Sequence, residues 1–257
     1  MLSRLEVKIF IVTDPFFAVR RGQGDAAGSP GRRGFCLFPV FPAVFNCPCL
    51  IRRGMVERNV SMNRLHTLID GFPQVSILCI GDVMLDKFLY GSVTRISPEA
   101  PVPIMRMDRE TRMLGGAGNV VSNLCALGCR TTFVSVVGDD ANGRQVKAFL
   151  EDTCCTPELV ECRDYETTVK IRFVAGKHHL LRADQEQELN MAPELAARFL
   201  ERVDACLPDA DLVLLSDYGK GLFDGETAPA VIARCRAAGK PVIVDPKGAD
   251  YSRYGGA

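Results

Sequence analysis

Between Arg112 and Gly128 the chain runs Arg-Met-Leu-Gly-Gly-Ala-Gly-Asn-Val-Val-Ser-Asn-Leu-Cys-Ala-Leu-Gly. Gly115, Gly116 and Gly118 let the backbone turn tightly and approach a ligand where a Cβ would intrude. From Asn119 the apolar Val120, Leu124 and Leu127 follow helical spacing, and Gly128 is a natural C-cap. A glycine-rich loop that opens a helix presents unpaired N–H groups to a polar ligand. The same composition also makes an ordinary tight turn, so its chemistry depends on its neighbours. Asp82, Asp217, Asp245 and Lys247 each follow the end of a short apolar run that reads as a parallel strand. Ligands of open α/β sheets bind at that edge, so four polar residues there point to a small-molecule site. Any one of them could equally cap a helix.

Holding these residues together requires strands that alternate with helices. Val75–Ile80 is an apolar run that predicts a buried strand, and Thr131–Val137 predicts a second. Val93–Met107, with β-branched residues and three prolines, suits an edge or projecting strand. Arg144–Glu151 reads as a helix. Thr167–Val174 alternates Val169, Ile171 and Phe173 with Lys170 and Arg172, the pattern of a half-exposed strand. Pro193 and Glu194 open a helix with Leu195, Phe199, Val203 and Cys206 inward and Glu194, Arg198 and Glu201 outward. Asp211–Ser216 predicts a buried strand. Asp224 is placed to N-cap the next helix, with Val231, Ile232 and Cys235 inward; Pro241–Asp245 is the following strand. The alternation describes an α/β fold with a mostly parallel sheet flanked by helices. Residues 1–61 show no such order. Gly22–Gly34 is rich in Gly, Arg and Ala, and Phe35–Leu50 mixes Phe, Pro and Cys without a period. The expectation for them is a disordered extension upstream of a natural start at Met62, with a targeting or regulatory arm as the alternative.

Four segments share a further pattern: Ile80-Gly-Asp-Val-Met-Leu-Asp86, Tyr90–Pro103, Leu215-Ser-Asp-Tyr-Gly-Lys-Gly221 and Val244-Asp-Pro-Lys-Gly248. In this order and spacing, together with the glycine loop, they resemble the ribokinase-like (PfkB) sugar kinases over Met62–Ala257, and among these the heptose 7-phosphate kinases. The resemblance implies a three-layer fold with a small β-lid at about 88–108 and 166–183. It implies ATP-dependent phosphorylation, with Mg²⁺, of the anomeric hydroxyl of D-glycero-β-D-manno-heptose 7-phosphate, on the route to ADP-heptose and lipopolysaccharide. It assigns Asp86 and Asn119 to the sugar hydroxyls, although this glycine loop is one residue shorter than in ribokinase. Gly115, Gly116 and Gly118 would bring backbone close to the sugar. Lys170, Arg172 and Arg182 would meet the substrate phosphate, with Arg95 and Arg106 as further candidates. Lys170 and Arg172 share one strand face, as a clamp requires, and a solvated face accounts for them as well. Lys220 and Lys247 would face the nucleotide phosphates, and Asp245 a Mg²⁺ shell through water; each also fits a loop ion pair. The resemblance is further compatible with a homodimer through the lid.

The family's Gly-Ala-Gly-Asp helix start, whose Asp is the base, is not found in this sequence. Gly22–Ala26 reads Gly-Gln-Gly-Asp-Ala, and Gly116-Ala117-Gly118 is followed by Asn119. The expectation is therefore a C-terminally truncated sugar-site part of the domain that transfers no phosphate on its own. A dinucleotide-binding oxidoreductase fits less well, because more than 30 residues separate Ile80 from Gly115. A non-catalytic sugar-phosphate-binding fragment remains the third reading. A net charge of zero gives no reason to expect a nucleic-acid partner. No run reaches the roughly 18–20 apolar residues of a membrane span. Lys8 and Asp14 interrupt any signal core, so the expected compartment is the cytoplasm. The eleven cysteines lack metal-ligand spacing, since Cys47-Pro48-Cys49 and Cys154-Cys155 are too close, and are read as reduced structural thiols. His178-His179 is read as a surface pair on a turn.

Overall fold

The computed structural model describes residues 62–257, so the expectations for residues 1–61, including Gly22–Ala26, lie outside the described residues. The elements are α1 (Met62–Asp70), β1 (Ser76–Gly81), β2 (Val83–Ile96), β3 (Pro103–Gly116), α2 (Ala117–Ala126), β4 (Arg130–Gly138) and α3 (Ala141–Glu151). Then follow β5 (Cys155–Cys162), β6 (Val169–Ala175), β7 (His178–Gln185), α4 (Pro193–Cys206), β8 (Leu212–Ser216), α5 (Thr227–Ala237) and β9 (Val242–Asp245).

The main sheet has five strands in the order β5-β4-β1-β8-β9, paired in parallel throughout. Alternate residues of its strands feed two cores. On one face Leu78, Ile80, Val134, Val213 and Leu215 pack with Leu195, Phe199 and Val203 of α4 and Val231, Ile232 and Cys235 of α5. On the other, Ile77, Cys79, Phe133 and Leu214 pack with Val120, Val121 and Leu124 of α2 and Val146 and Leu150 of α3. Both faces are covered, which is why the inner strands β1 and β8 read as nearly unbroken apolar runs. From β1 the chain winds outward through β4 to β5, then returns to β8 and winds the other way. The crevice beyond β1 and β8 is therefore the topological switch point.

A second sheet, β3-β2-β6-β7, rises from this edge. Its base is buried, with Val83, Leu85, Leu114 and Val169 joining the α2 and α3 core. Its far end is open, leaving Ile96, Met107 and Leu181 exposed.

Several local expectations change. Val93–Met107 is not one strand but the tip of the β2–β3 hairpin: Pro98 and Pro101 lie between the strands and Pro103 opens β3. Proline has no N–H for the ladder, so it settles where pairing stops. Strand β5 has no counterpart in the apolar pattern. It is an edge strand holding Pro157, buried mainly at Cys155 and Val160, and among the described residues it pairs only with β4. His178 and His179 are exposed, as expected, but begin β7 rather than sit on a turn. Asp224 does not cap α5. The cap position is Glu226, without a side-chain bond, while the Asp224 carboxylate accepts from Arg253 at 2.8 Å.

Candidate functional site

Asp82 leaves β1 at the switch point, buried. Its Oδ2 accepts the N–H groups of Tyr218 at 2.8 Å and Lys220 at 3.3 Å. Burial pushes its carboxyl up to about 6, against the pull of these N–H groups. Asp217, also buried, accepts the Gly219 N–H at 2.6 Å through Oδ1 and the Tyr254 hydroxyl through Oδ2. The two carboxylates thus shape the loop after β8, which turns at Gly219 (φ +64°) and Gly221 (φ +101°). Asp82 Oδ2 and both Asp217 oxygens are engaged by the protein, so these carboxylates organise the edge.

The glycine loop closes onto the same edge. Gly116 has φ +58°, and a Cβ there would stand 2.5 Å from the Asp82 carbonyl oxygen; only glycine fits. A Cβ on Gly115 would stand 2.7 Å from Asp86 Oδ2. Gly118 has a different task from the one expected. It packs α2 against Leu114 and Val83, where a Cβ would come to 3.0 and 3.1 Å, and it lies off the cavity. Asn119 stands in the first turn of α2, whose N-cap position is Gly116.

Between loop and second sheet lies a cavity of about 110 Å³, bordered by Met84, Asp86, Leu114, Gly115, Gly116, Asn119, Lys170, Arg172 and Tyr218. Strand register explains the meeting. β2 pairs with β6 so that Asp86 faces Lys170 and Phe88 faces Arg172. The Arg172 guanidinium donates to Asp86 Oδ1 at 2.6 Å and lies 5.0 Å from the centre of the Phe88 ring. The pair is nearly dry, with side chains 16% and 11% exposed. Burial and the nearby Lys220 ammonium hold the Lys170 amine below the ordinary lysine range, with Asp184 opposing them. A cation made costly in this way gains from an incoming anion.

Other sequence candidates fall outside this group. Arg182 faces Arg172 across β6 and β7 but is mostly exposed and ion-pairs with Asp184 at 3.0 Å. Lys220 ion-pairs with Glu186, just past β7. Lys247 is exposed, and its Cγ would lie 3.3 Å from a Cβ on Gly219. Asp245 is half-buried at the end of β9, its carboxyl pushed up by burial and by Asp217. Arg95 and Arg106 are exposed towards the hairpin tip, away from the cavity. Tyr218, Glu186 and Tyr254 were missed; the Ser216–Gly221 run holds the first, whereas no local signal marks the other two. Among the described residues no three His, Cys, Asp or Glu side chains converge on a metal position. Asp245 fits a divalent ion carried by substrate phosphates better than a protein-made cage. A larger hollow of about 570 Å³, lined by Asp139, Glu161, Arg163 and Arg198 among others, does not touch the glycine loop.

Residues 74–254 match the model of the pfkB family carbohydrate kinases. The chain is 52% identical over 182 residues to the "Bifunctional protein HldE" of Paramagnetospirillum magneticum, covering 70% of this chain and 37% of that protein. It is 46% identical over 194 residues to the protein of the same name from Rhodospirillum rubrum, covering 75% and 39%. It thus spans about two fifths of the length of these relatives. Among solved structures, the Escherichia coli phosphofructokinase-2 in complex with fructose-6-phosphate superposes with a TM-score of 0.51 at 20% identity, covering 68% of this chain and 55% of that one. A carbohydrate kinase from Agrobacterium tumefaciens gives 0.53 at 20% identity, covering 66% and 53%. These two likenesses concern the fold.

Proposed function

The chain belongs to the pfkB family of carbohydrate kinases, and from that premise we propose that the cavity under its second sheet is a sugar-phosphate site and that the chain is the sugar-binding part of a heptose 7-phosphate kinase. The observation that carries this reading is the border of one cavity by Asp86, Asn119, Lys170 and Arg172 beside a glycine loop. Asp86 keeps one oxygen for hydroxyl groups after pairing with Arg172, and an Asn amide offers both a donor and an acceptor. Lys170 and Arg172 supply the charge that a phosphate needs, and Arg182 lies next in register.

Kinases of this family use ATP and a divalent metal. On this reading Lys220 and Lys247 lie towards the nucleotide phosphates, Asp245 orders water around Mg²⁺, and the sugar's anomeric hydroxyl receives the phosphoryl group. The 257-residue chain itself binds sugar phosphate without transferring phosphate, because the Gly-Ala-Gly-Asp helix start is not in its sequence. Such substrates place it in the cytoplasm, and no helix among the described residues is long and apolar enough to cross a membrane. The exposed apolar residues of the second sheet support a homodimer through that sheet.

Calorimetric titration tests the site. D-glycero-D-manno-heptose 7-phosphate should bind at least about tenfold more tightly than the unphosphorylated heptose, as one or two charge-assisted bonds imply. Equal affinities would remove the phosphate from the reading, and preference for another sugar phosphate would replace the heptose. ADP formation from ATP and sugar phosphate by the purified chain would overturn the claim that it is inactive.

A further inference from the structure

We propose, on the reading that Lys220 lies towards the nucleotide phosphates, that Glu186 is an internal competitor for the anion this lysine receives. Its carboxylate occupies the ammonium in the ligand-free chain and must leave before a phosphate can take its place. Both backbone groups of Lys220 are held. Its N–H donates to Asp82 Oδ2 at 3.3 Å, and its carbonyl accepts the Leu189 N–H at 2.8 Å. Gly219 and Gly221 flank it at positive φ, and a Cβ on Gly221 would stand 2.2 Å from the Leu189 carbonyl oxygen. Lys220 is thus a fixed point of the switch-point loop, and only its side chain can change partner.

Glu186 reaches that side chain from the second sheet. It lies one residue past β7, in the strap that runs on to α4. Asp184, two residues earlier, stands opposite Lys170 across β6 and β7, so strand alternation carries Glu186 to the same face. The Glu186 carboxylate meets the Lys220 ammonium at 2.5 Å, the only carboxylate within ion-pair distance of it among the described residues. Burial and then the Lys220 charge hold the Lys170 amine down, which agrees with two cations sharing this space. The pair is unequal in exposure, with the lysine side chain 15% and the glutamate 43% exposed. A cation so far withdrawn from water needs a counter-ion, whereas the open carboxylate is readily hydrated once released. The strap does not depend on the pair, because the Leu189 N–H and its buried side chain already anchor it. Exchange is then a competition for one ammonium. The apparent affinity of an incoming phosphate is reduced by the fraction of Lys220 that is free of Glu186.

Inorganic tripolyphosphate, which carries a nucleotide's phosphates without its base, is the probe. In calorimetric titration of the full chain, Glu186→Gln should bind it about tenfold more tightly than the wild type, as expected when a lysine free about a tenth of the time becomes free throughout. Lys220→Met should bind it more weakly than the wild type. In the Lys220→Met background, Glu186→Gln should add nothing, because the competitor acts only through that ammonium. Loss of a merely structural tie would weaken binding, so the sign separates the two roles. Unchanged or weaker binding by Glu186→Gln would overturn the proposal, and leave the role of Lys220 standing if Lys220→Met also binds weakly. A gain that survives in the Lys220→Met background would overturn it too. Equal binding by the wild type and Lys220→Met would overturn both the proposal and the assignment of Lys220 to the phosphates.

Discussion

Asp86 and Arg172 have few substitutes. Removing one partner of a nearly dry ion pair leaves the other desolvated, so Asp86→Ala should cost about 3 kcal/mol in urea unfolding. The double change Asp86→Ala with Arg172→Met should recover part of that loss, and strict additivity would show that the two are not coupled. Asp82 makes a separate prediction. Its folded pKa of about 6 lies above the ordinary 3.8, so the folded state binds its proton more tightly. Its contribution to stability is full below the ordinary value and is lost as pH rises through about 6. Asp82→Asn keeps an acceptor for the Tyr218 and Lys220 N–H groups but does not ionise. Unfolding free energies measured from pH 4 to pH 7 should therefore move in the variant's favour as pH rises, whereas parallel profiles would contradict the assignment. Asp82 and Asp217 are visible in the sequence as residues ending apolar runs, and Asp86 only through the family resemblance. That the carboxylates of Asp82 and Asp217 bind loop amides rather than a ligand is not visible there, because that depends on which backbone comes near.

The glycine loop and the capped helices show what elements add. Gly116→Ala meets both a left-handed φ and the Asp82 carbonyl, so it should destabilise by about 1–3 kcal/mol and weaken sugar-phosphate binding together. Gly118→Ala, which touches packing rather than cavity, should lower stability with a smaller effect on affinity. Equal effects on affinity would mean that Gly118 serves the ligand after all. Asp140 ties two elements: it accepts the Gly143 N–H at 2.6 Å as the cap of α3 and the Thr167 N–H at 2.7 Å just before β6. Burial alone would raise its carboxyl, but these bonds hold it below the usual range. Its contribution is thus present above the ordinary pKa and lost as pH falls through the folded value, the reverse of Asp82. Asp140→Ala should cost about 1–2 kcal/mol at neutral pH in urea unfolding and less in acid.

For the molecule as a whole, the second sheet is the element with an unfinished surface. Ile96, Met107 and Leu181 are each about 60% exposed on it. Light scattering after size exclusion should report a dimer that Leu181→Glu converts to monomer; a wild-type monomer at every concentration would remove that face from consideration as an interface. The cavity, about 110 Å³, is also smaller than the roughly 300–1,000 Å³ usual for ligand sites. Sugar phosphate should therefore bind with the second sheet displaced outward, seen as faster amide exchange in β6 and β7 on the path to the complex and slower exchange once it forms.

Apolar runs, helical spacing and turn residues were sufficient to read the strands β1, β4, β8 and β9 of the main sheet and the helices between them, because those signals depend on neighbours a few positions apart. Ordered motifs such as Ile80–Asp86 and Leu215–Gly221 were sufficient to read the family. The site itself is non-local. Asp86 and Arg172 are 86 positions apart, and only the β2–β6 register brings them to 2.6 Å. The edge strand β5 and the ion pair of Lys220 with Glu186 escaped for the same reason: neither is favoured by its own segment, and both exist because the packed sheets supply the partner.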